Sequence, residues 1–157
     1  MTFLHIRILM KLSKNFLILS LFILTSTVLN AQDLNYSSSS YIVKMAKAKL
    51  GIKYVWGGNG QRGYDCSGFT KEVFEENGIK IPRNSWKQAK VGKRISKRNL
   101  KRGDLVFFNS KHHKGVNHVG IYLGHGKFIH ASRFHKRIVI SKFREYRRYF
   151  KWGRRLS

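Results

Sequence analysis

The stretch "HVGIYLGHGKFIHA", His118 to Ala131, decides the fold. Two runs rich in β-branched and aromatic residues flank Gly124, His125 and Gly126, which is the pattern of a β-hairpin. With those three residues as the loop, Leu123 faces Lys127, Tyr122 faces Phe128 and Gly120 faces His130. Opposed residues share one face of a sheet, so His118, Gly120, Phe128 and His130 project the same way. The two histidines then become diagonal neighbours, about 7 to 8 Å apart at the backbone and within reach of each other's rings. Gly120 leaves the space between them open. A two-residue loop shifts the register by one and sends His130 to the opposite face.

Working outward from the hairpin, glycine-punctuated apolar runs predict further strands at 104–108 and 137–141 and a closing strand at 149–155. Towards the N-terminus the period changes. In "YIVKMAKAKLG" Ile42, Val43, Met45, Ala46 and Leu50 recur at near-helical spacing up to Gly51, and in "CSGFTKEVFEENG" Phe69, Val73 and Phe74 do the same between Asp65, a cap, and Gly78, a terminator. The intervening "IKYVWGGNGQRGYD" carries glycines at 57, 58, 60 and 63 and reads as a loop that permits close backbone approach. One short helix is expected within "IPRNSWKQAKVG". Helices first and a contiguous antiparallel sheet of about five to six strands second predict an α+β domain.

Arg7, Lys11 and Lys14 followed by the apolar "FLILSLFIL" make a secretory signal pattern, with cleavage expected after Ala31. The apolar run is short of the roughly 20 residues that span a bilayer, so no membrane span is expected after cleavage. This divides the chain into a signal peptide at 1–31, a polar linker at 32–40 and one domain at 41–157, exported to the periplasm or beyond. The sole cysteine, Cys66, is too far from the leader to carry a lipid anchor, and a soluble monomer is expected. Of the 32 Lys and Arg, three fall in the leader, which leaves 29 against seven acidic residues, or +22. A field of that sign favours anionic partners. In an exported chain these are anionic envelope polymers rather than nucleic acid, although a solvated surface serving only solubility gives the same composition.

One cysteine excludes an intrachain disulfide and leaves an inert buried thiol, an intermolecular bridge or a nucleophile. Chemistry connects it to the histidine pair. A free thiol of pKa about 8.5 is a few per cent thiolate at neutral pH, whereas paired catalytic thiols fall to roughly 3.5 to 7.5. A helix dipole supplies at most about 2 kcal/mol of the 4 kcal/mol that three pKa units require. An imidazolium must supply the rest, with a second group orienting its ring.

"YVWGG", "GYDCSGFTKEVFEENGIKIPRNS", "RGDLVFF" and "HVGIYLGHGKFIHAS" resemble, in order and spacing, the signature blocks of the NlpC-type papain-like cysteine peptidases, which cleave bacterial cell-wall peptides. The resemblance covers about Tyr41 to the C-terminus and implies a papain-like fold. By it, Cys66 matches the nucleophile, His118 the general base, His130 the residue that orients that base and Tyr54 an oxyanion donor. Asp65 and Ser67 match substrate-binding positions that recognise the peptide's amine and carboxylates. It implies hydrolysis in the peptidoglycan stem, typically between D-isoglutamate and the following diamino acid, with no cofactor and no metal. The competing readings are an amidase or transferase on the same Cys and His core and a non-catalytic basic envelope-binding module. A zinc site from His112, His113 and His118 is conceivable, but adjacent residues in an extended chain point different ways. Arg102 stands where the family usually has proline, which weakens the turn expected before residue 104.

Overall fold

The computed structural model describes residues 38–110 and 113–156. The predicted leader lies outside them. A helix over 38–48 (α1) begins inside the stretch expected to be linker and buries Ile42, Val43 and Ala46. The glycine loop, read as irregular, contains a small hairpin of Asn59–Gly60 (β1) and Gly63–Tyr64 (β2). Cys66–Glu75 (α2) follows, then the one-turn helix Ser85–Gln88 (α3).

Six strands complete the domain: Lys93–Ile95 (β3), Leu105–Ser110 (β4), His113–Gly124 (β5), Lys127–Ser132 (β6), Arg137–Lys142 (β7) and Phe150–Arg155 (β8). They form one antiparallel sheet in the order β3-β8-β4-β5-β6-β7. β3 has no counterpart in the expected strands, because "KRI" within a basic stretch carries one apolar residue and no alternation. Alternation along the other strands sorts the core into two layers. Leu105, Phe107, Val119, Ile121 and Ile129 join Ile42, Phe69, Val73 and Phe74 of the helices. Val106, Phe108 and Phe128 turn to the other side and are covered by Phe143 and Tyr146 of the 3₁₀ segment Phe143–Tyr149.

The deciding hairpin keeps its expected register where it matters and departs from it at the tip. Tyr122 faces Phe128 and Ile121 faces Ile129, but Gly124 rather than Leu123 faces Lys127. The loop is therefore two residues, His125 and Gly126, both left-handed at φ 49° and 66°. Consecutive positive φ values mark the turn whose twist matches that of the strands it joins. A bulge between Tyr122 and Gly124, with Gly124 at φ 85°, absorbs the residue that a shorter loop would otherwise shift. The histidines thus stay on one face for a reason the loop length alone does not give.

The turn before β4 forms without proline. Gly103 adopts φ 89°, and the Asp104 carboxylate accepts the Lys101 N–H at 2.7 Å, doing locally what a fixed ring would have done. Asp104 is 2 % exposed and also receives both Nε and Nη2 of Arg155 at 2.8 Å, which ties the last strand to this turn.

Gly68, in the first turn of α2, lies against the glycine loop so closely that a Cβ there would stand 2.1 Å from the Gly58 carbonyl oxygen. Backbone cannot yield as a flexible side chain does. Gly68→Ala is expected to lower stability by roughly 1 to 3 kcal/mol or more in urea melts. A loss below a few tenths would mean that the loop and helix are not held together as described.

Candidate active site

Asp65 caps α2, its Oδ1 accepting the Gly68 N–H at 2.7 Å, and so fixes the helix start one residue before Cys66. Cys66 is 9 % exposed. Pairing between β5 and β6 stops at Ile121 and Ile129, and the strands part towards His118 and Ala131. The backbone N–H groups of Val119, Ser67 and Cys66 itself lie close enough to the Cys66 sulfur to favour its thiolate. The nucleophile candidate therefore sits against the residue next to His118.

Across the parted strands the two imidazoles meet. His118 Nε2 and His130 Nδ1 are 2.7 Å apart with the rings nearly perpendicular, and His130 Nε2 reaches Ser141 Oγ at 3.0 Å. The contacts fit a chain running either way, and the assignment that a base at His118 requires has His130 donating from Nε2 to Ser141 and accepting at Nδ1 from His118. This leaves Nδ1 of His118 as a lone pair, the form a general base needs. His130 is 1 % exposed, stacked on Phe128 at 4.7 Å and edged by Tyr146 at 5.5 Å. Gly120 is compulsory here, since a Cβ would stand 2.7 Å from the Ile129 oxygen and 2.8 Å from the Phe128 ring.

Burial sets the charge state. It pushes the Cys66 thiol up to about 11, with the neighbouring Asp65 charge adding to the effect and the backbone N–H groups opposing it. It pushes His118 down to about 4 and His130 well below the usual imidazole range, the latter also repelled by His118 and His135. Burial thus works towards the neutral form of each group, against the ion pair expected from the sequence. Tyr54, half-buried in the glycine loop, is pushed up to about 12 by burial and by the Cys66 and Asp65 charges, against Arg133. Its hydroxyl keeps its proton at neutral pH and can donate it.

Ser67 and Asp65 are drawn together by a residue that the sequence reading passed over. Arg83 gives Nη1 to Asp65 Oδ1 at 2.9 Å and to Ser67 Oγ at 3.0 Å, and Nη2 to Asp65 Oδ2 at 2.7 Å and the Gly58 carbonyl at 3.0 Å. One guanidinium clamps the loop, the cap and the first turn of α2. Gln88, fully buried, holds the same turn from α3 through the Ser67 carbonyl at 3.0 Å and Thr70 Oγ1 at 2.9 Å. Beside the histidines a cleft of about 290 Å³ opens between Phe108, Ser132, Arg133, Phe134, Tyr146 and Tyr149. His112 lies outside the described residues, and among those described no group of three or more His, Cys, Asp or Glu is gathered as a metal would require.

The NlpC/P60 family model matches residues 51–154, which include every residue of this site. The chain belongs to the NlpC/P60 family. It is 43 % identical over 100 residues, 63 % of its length, to a gamma-D-glutamyl-L-lysine dipeptidyl-peptidase of Bacillus subtilis strain 168, and spans about a third (34 %) of that relative. Over 96 residues, 60 % of its length, it is 41 % identical to the murein DD-endopeptidase MepS/murein LD-carboxypeptidase of Escherichia coli K12, and covers 50 % of it. The solved NlpC/p60 domain of the peptidoglycan hydrolase SagA superposes with a TM-score of 0.68 at 33 % identity, covering 75 % of this chain and 98 % of that one. The α+β fold of this NlpC/P60 domain is accordingly papain-like.

The neutral thiol can be tested without substrate. Alkylation by iodoacetamide follows the thiolate fraction, so its rate at Cys66 should still be climbing above pH 9 and at pH 7.5 should lie at least about ten-fold below that of free cysteine. A rate that levels off below pH 7 would instead reveal a preformed ion pair.

Proposed function

We propose that this chain is an exported cell-wall cysteine endopeptidase that hydrolyses the peptide stem of peptidoglycan at the D-isoglutamyl–diamino acid bond. The observation that carries the reading is the 2.7 Å contact between His118 and His130, beyond the point where the β5–β6 pairing ends, in a domain whose one thiol is buried at a helix N-terminus. Family membership and the names of the relatives support peptidoglycan as substrate. The bond named for the Bacillus relative supports the γ-D-glutamyl linkage, and the different bonds named for the Escherichia relative make it the point to test.

In the proposed reaction the Cys66 proton passes to Nδ1 of His118 as Sγ attacks the scissile carbonyl carbon. The imidazolium is held by donating from Nε2 to His130. Backbone N–H groups at the start of α2, with Tyr54, receive the negative charge that develops on the carbonyl oxygen. Collapse expels the leaving amine, which takes the proton from His118 and leaves a thioester. Water, deprotonated by His118, attacks that thioester, releases the new carboxyl group and restores the thiol. Asp65 and Ser67 take the substrate-recognition role in this proposal. Asp65 Oδ1 already receives three donors, so Oδ2, with one, is the oxygen able to accept a substrate N–H.

Cys66→Ala and His118→Ala should each lower kcat by about 10⁴-fold or more while leaving the melting temperature near that of the parent chain. His130→Asn keeps an acceptor for His118 and should lose less. Tyr54→Phe should lose about 10²- to 10³-fold in kcat. Turnover near the parent level in either Cys66 or His118 variant overturns the mechanism. Digestion of purified muropeptides followed by mass spectrometry identifies the bond: a new diamino-acid amine is expected, whereas muramic acid freed from its peptide indicates an amidase and absence of product a binding module.

A further inference from the structure

The sheet edge opposite β7 carries a second, strongly cationic cleft that the proposed catalysis does not use. It is about 430 Å³, within the roughly 300 to 1,000 Å³ typical of ligand sites, and lies between β3, the 3₁₀ turn Lys97–Asn99 and the end of β8. Lys93, Arg94, Arg98, Lys101 and Arg155 line it. No lining residue is shared with the cleft beside His118 and His130. β8 and β4 separate β3 from β5, so the two sites are on the order of 15 Å apart across the strands.

The arrangement works against the fold in its own electrostatics. Lys93 is directly opposite Arg155 and Arg94 directly opposite Arg154 in the ladder, and like charges directly opposite destabilise a sheet. Asp104 answers Arg155 alone, with both carboxylate oxygens engaged by it. None of the four ion pairs among the described residues engages Lys93, Arg94, Arg98 or Lys101. Meanwhile two of these cations are held in place. Arg94 is stacked 4.2 Å over the Trp152 ring, and Arg155 is locked by Asp104 and the Asn99 carbonyl. The carbonyls nearby already accept, with Arg154 bonded to Ala89 and Gly92. The cleft therefore offers fixed cations whose mutual repulsion an anion would relieve.

We propose that this cleft binds a linear phosphodiester polymer of the cell envelope and so holds the enzyme at its substrate. The envelope as location rests on the function proposed above. Guanidinium forks and lysine point charges together suit phosphate oxygens. A bilayer surface is disfavoured because the exposed large apolar residues, such as Trp56, Trp86 and Phe134, are absent from the lining, where Ile95 is 4 % exposed. Nucleic acid is disfavoured because no aromatic residue is among those lining the cleft, and the nearby Trp152 ring is covered by Arg94 rather than offered to bases.

The test uses the intact protein and two triple variants that remove equal charge. Lys93→Gln/Arg98→Gln/Lys101→Gln alters the cleft, and Lys44→Gln/Lys47→Gln/Lys80→Gln alters exposed lysines elsewhere. Fluorescence anisotropy with labelled poly(glycerol phosphate) at rising salt should give at least ten-fold weaker binding and a flatter salt dependence for the cleft variant only. Both variants should melt as the parent does and cleave a short soluble muropeptide at the parent rate. Equal loss in both variants, or no binding by the parent chain at low salt, overturns the site. Tighter binding to polyglutamate, to a short DNA duplex or to phosphatidylglycerol vesicles overturns the assigned chemistry. Loss of muropeptide cleavage by the parent chain strikes the function proposed above and leaves this binding result readable by itself.

Discussion

The Asp65 carboxylate is the constraint on which the site depends. It receives the Gly68 N–H, the Ser67 hydroxyl and two nitrogens of Arg83, while its own backbone N–H bonds the Gly58 carbonyl. Through it the glycine loop, the first turn of α2 and the segment before α3 become one unit. An anion beside a nucleophile that must itself turn anionic carries a cost, visible in the upward push that Asp65 gives Cys66. Arg83 offsets that charge at 2.7 and 2.9 Å, in a fork geometry that lysine could not reproduce. The cap is thus strong enough to fix the helix and neutral enough to leave the thiol usable.

Much of this was legible in the sequence because it rests on local period and local chemistry. Alternation from Leu105 to Phe108 and over the two arms of the hairpin fixes which side chains face which layer, and Asp65 followed by the apolar spacing of Phe69, Val73 and Phe74 fixes the helix. What escaped depends on contacts distant in the chain. Arg83 is 18 residues from Asp65, and one arginine among so many cations carries no contrast. β3 has too short and too charged a pattern to stand out before β8 pairs with it. The hairpin tip was misread by one residue because a left-handed non-glycine, His125, and a compensating bulge have no clear sequence mark. The depth at which Cys66 is buried has no sequence mark for a related reason: the helix start rests on local residues, whereas the packing of the thiol depends on the strands beyond it.

In the proposed reaction His130 is the third group, and its chemistry bears on the charge state of the site. A carboxylate in that position would stabilise an imidazolium on His118 by charge, whereas His130 offers only a lone pair. Its burial among Phe128 and Tyr146, with Nε2 committed to Ser141, favours the neutral ring and orients Nδ1 at His118. Burial favours the uncharged form of His118 and of the Cys66 thiol alike. In the proposed mechanism charge separation then comes with the reaction itself, as proton transfer from Sγ coincides with attack and the developing oxyanion enters the field of the helix start. The N–H groups at Val119, Ser67 and Cys66 oppose the upward push that burial gives the thiol and so favour the sulfur anion as it forms. A buried thiol that remains protonated between turnovers is also protected from oxidation, which follows thiolate character and exposure. In the exported enzyme proposed above, that protection and the late charge separation follow from one arrangement of Cys66, His118 and His130.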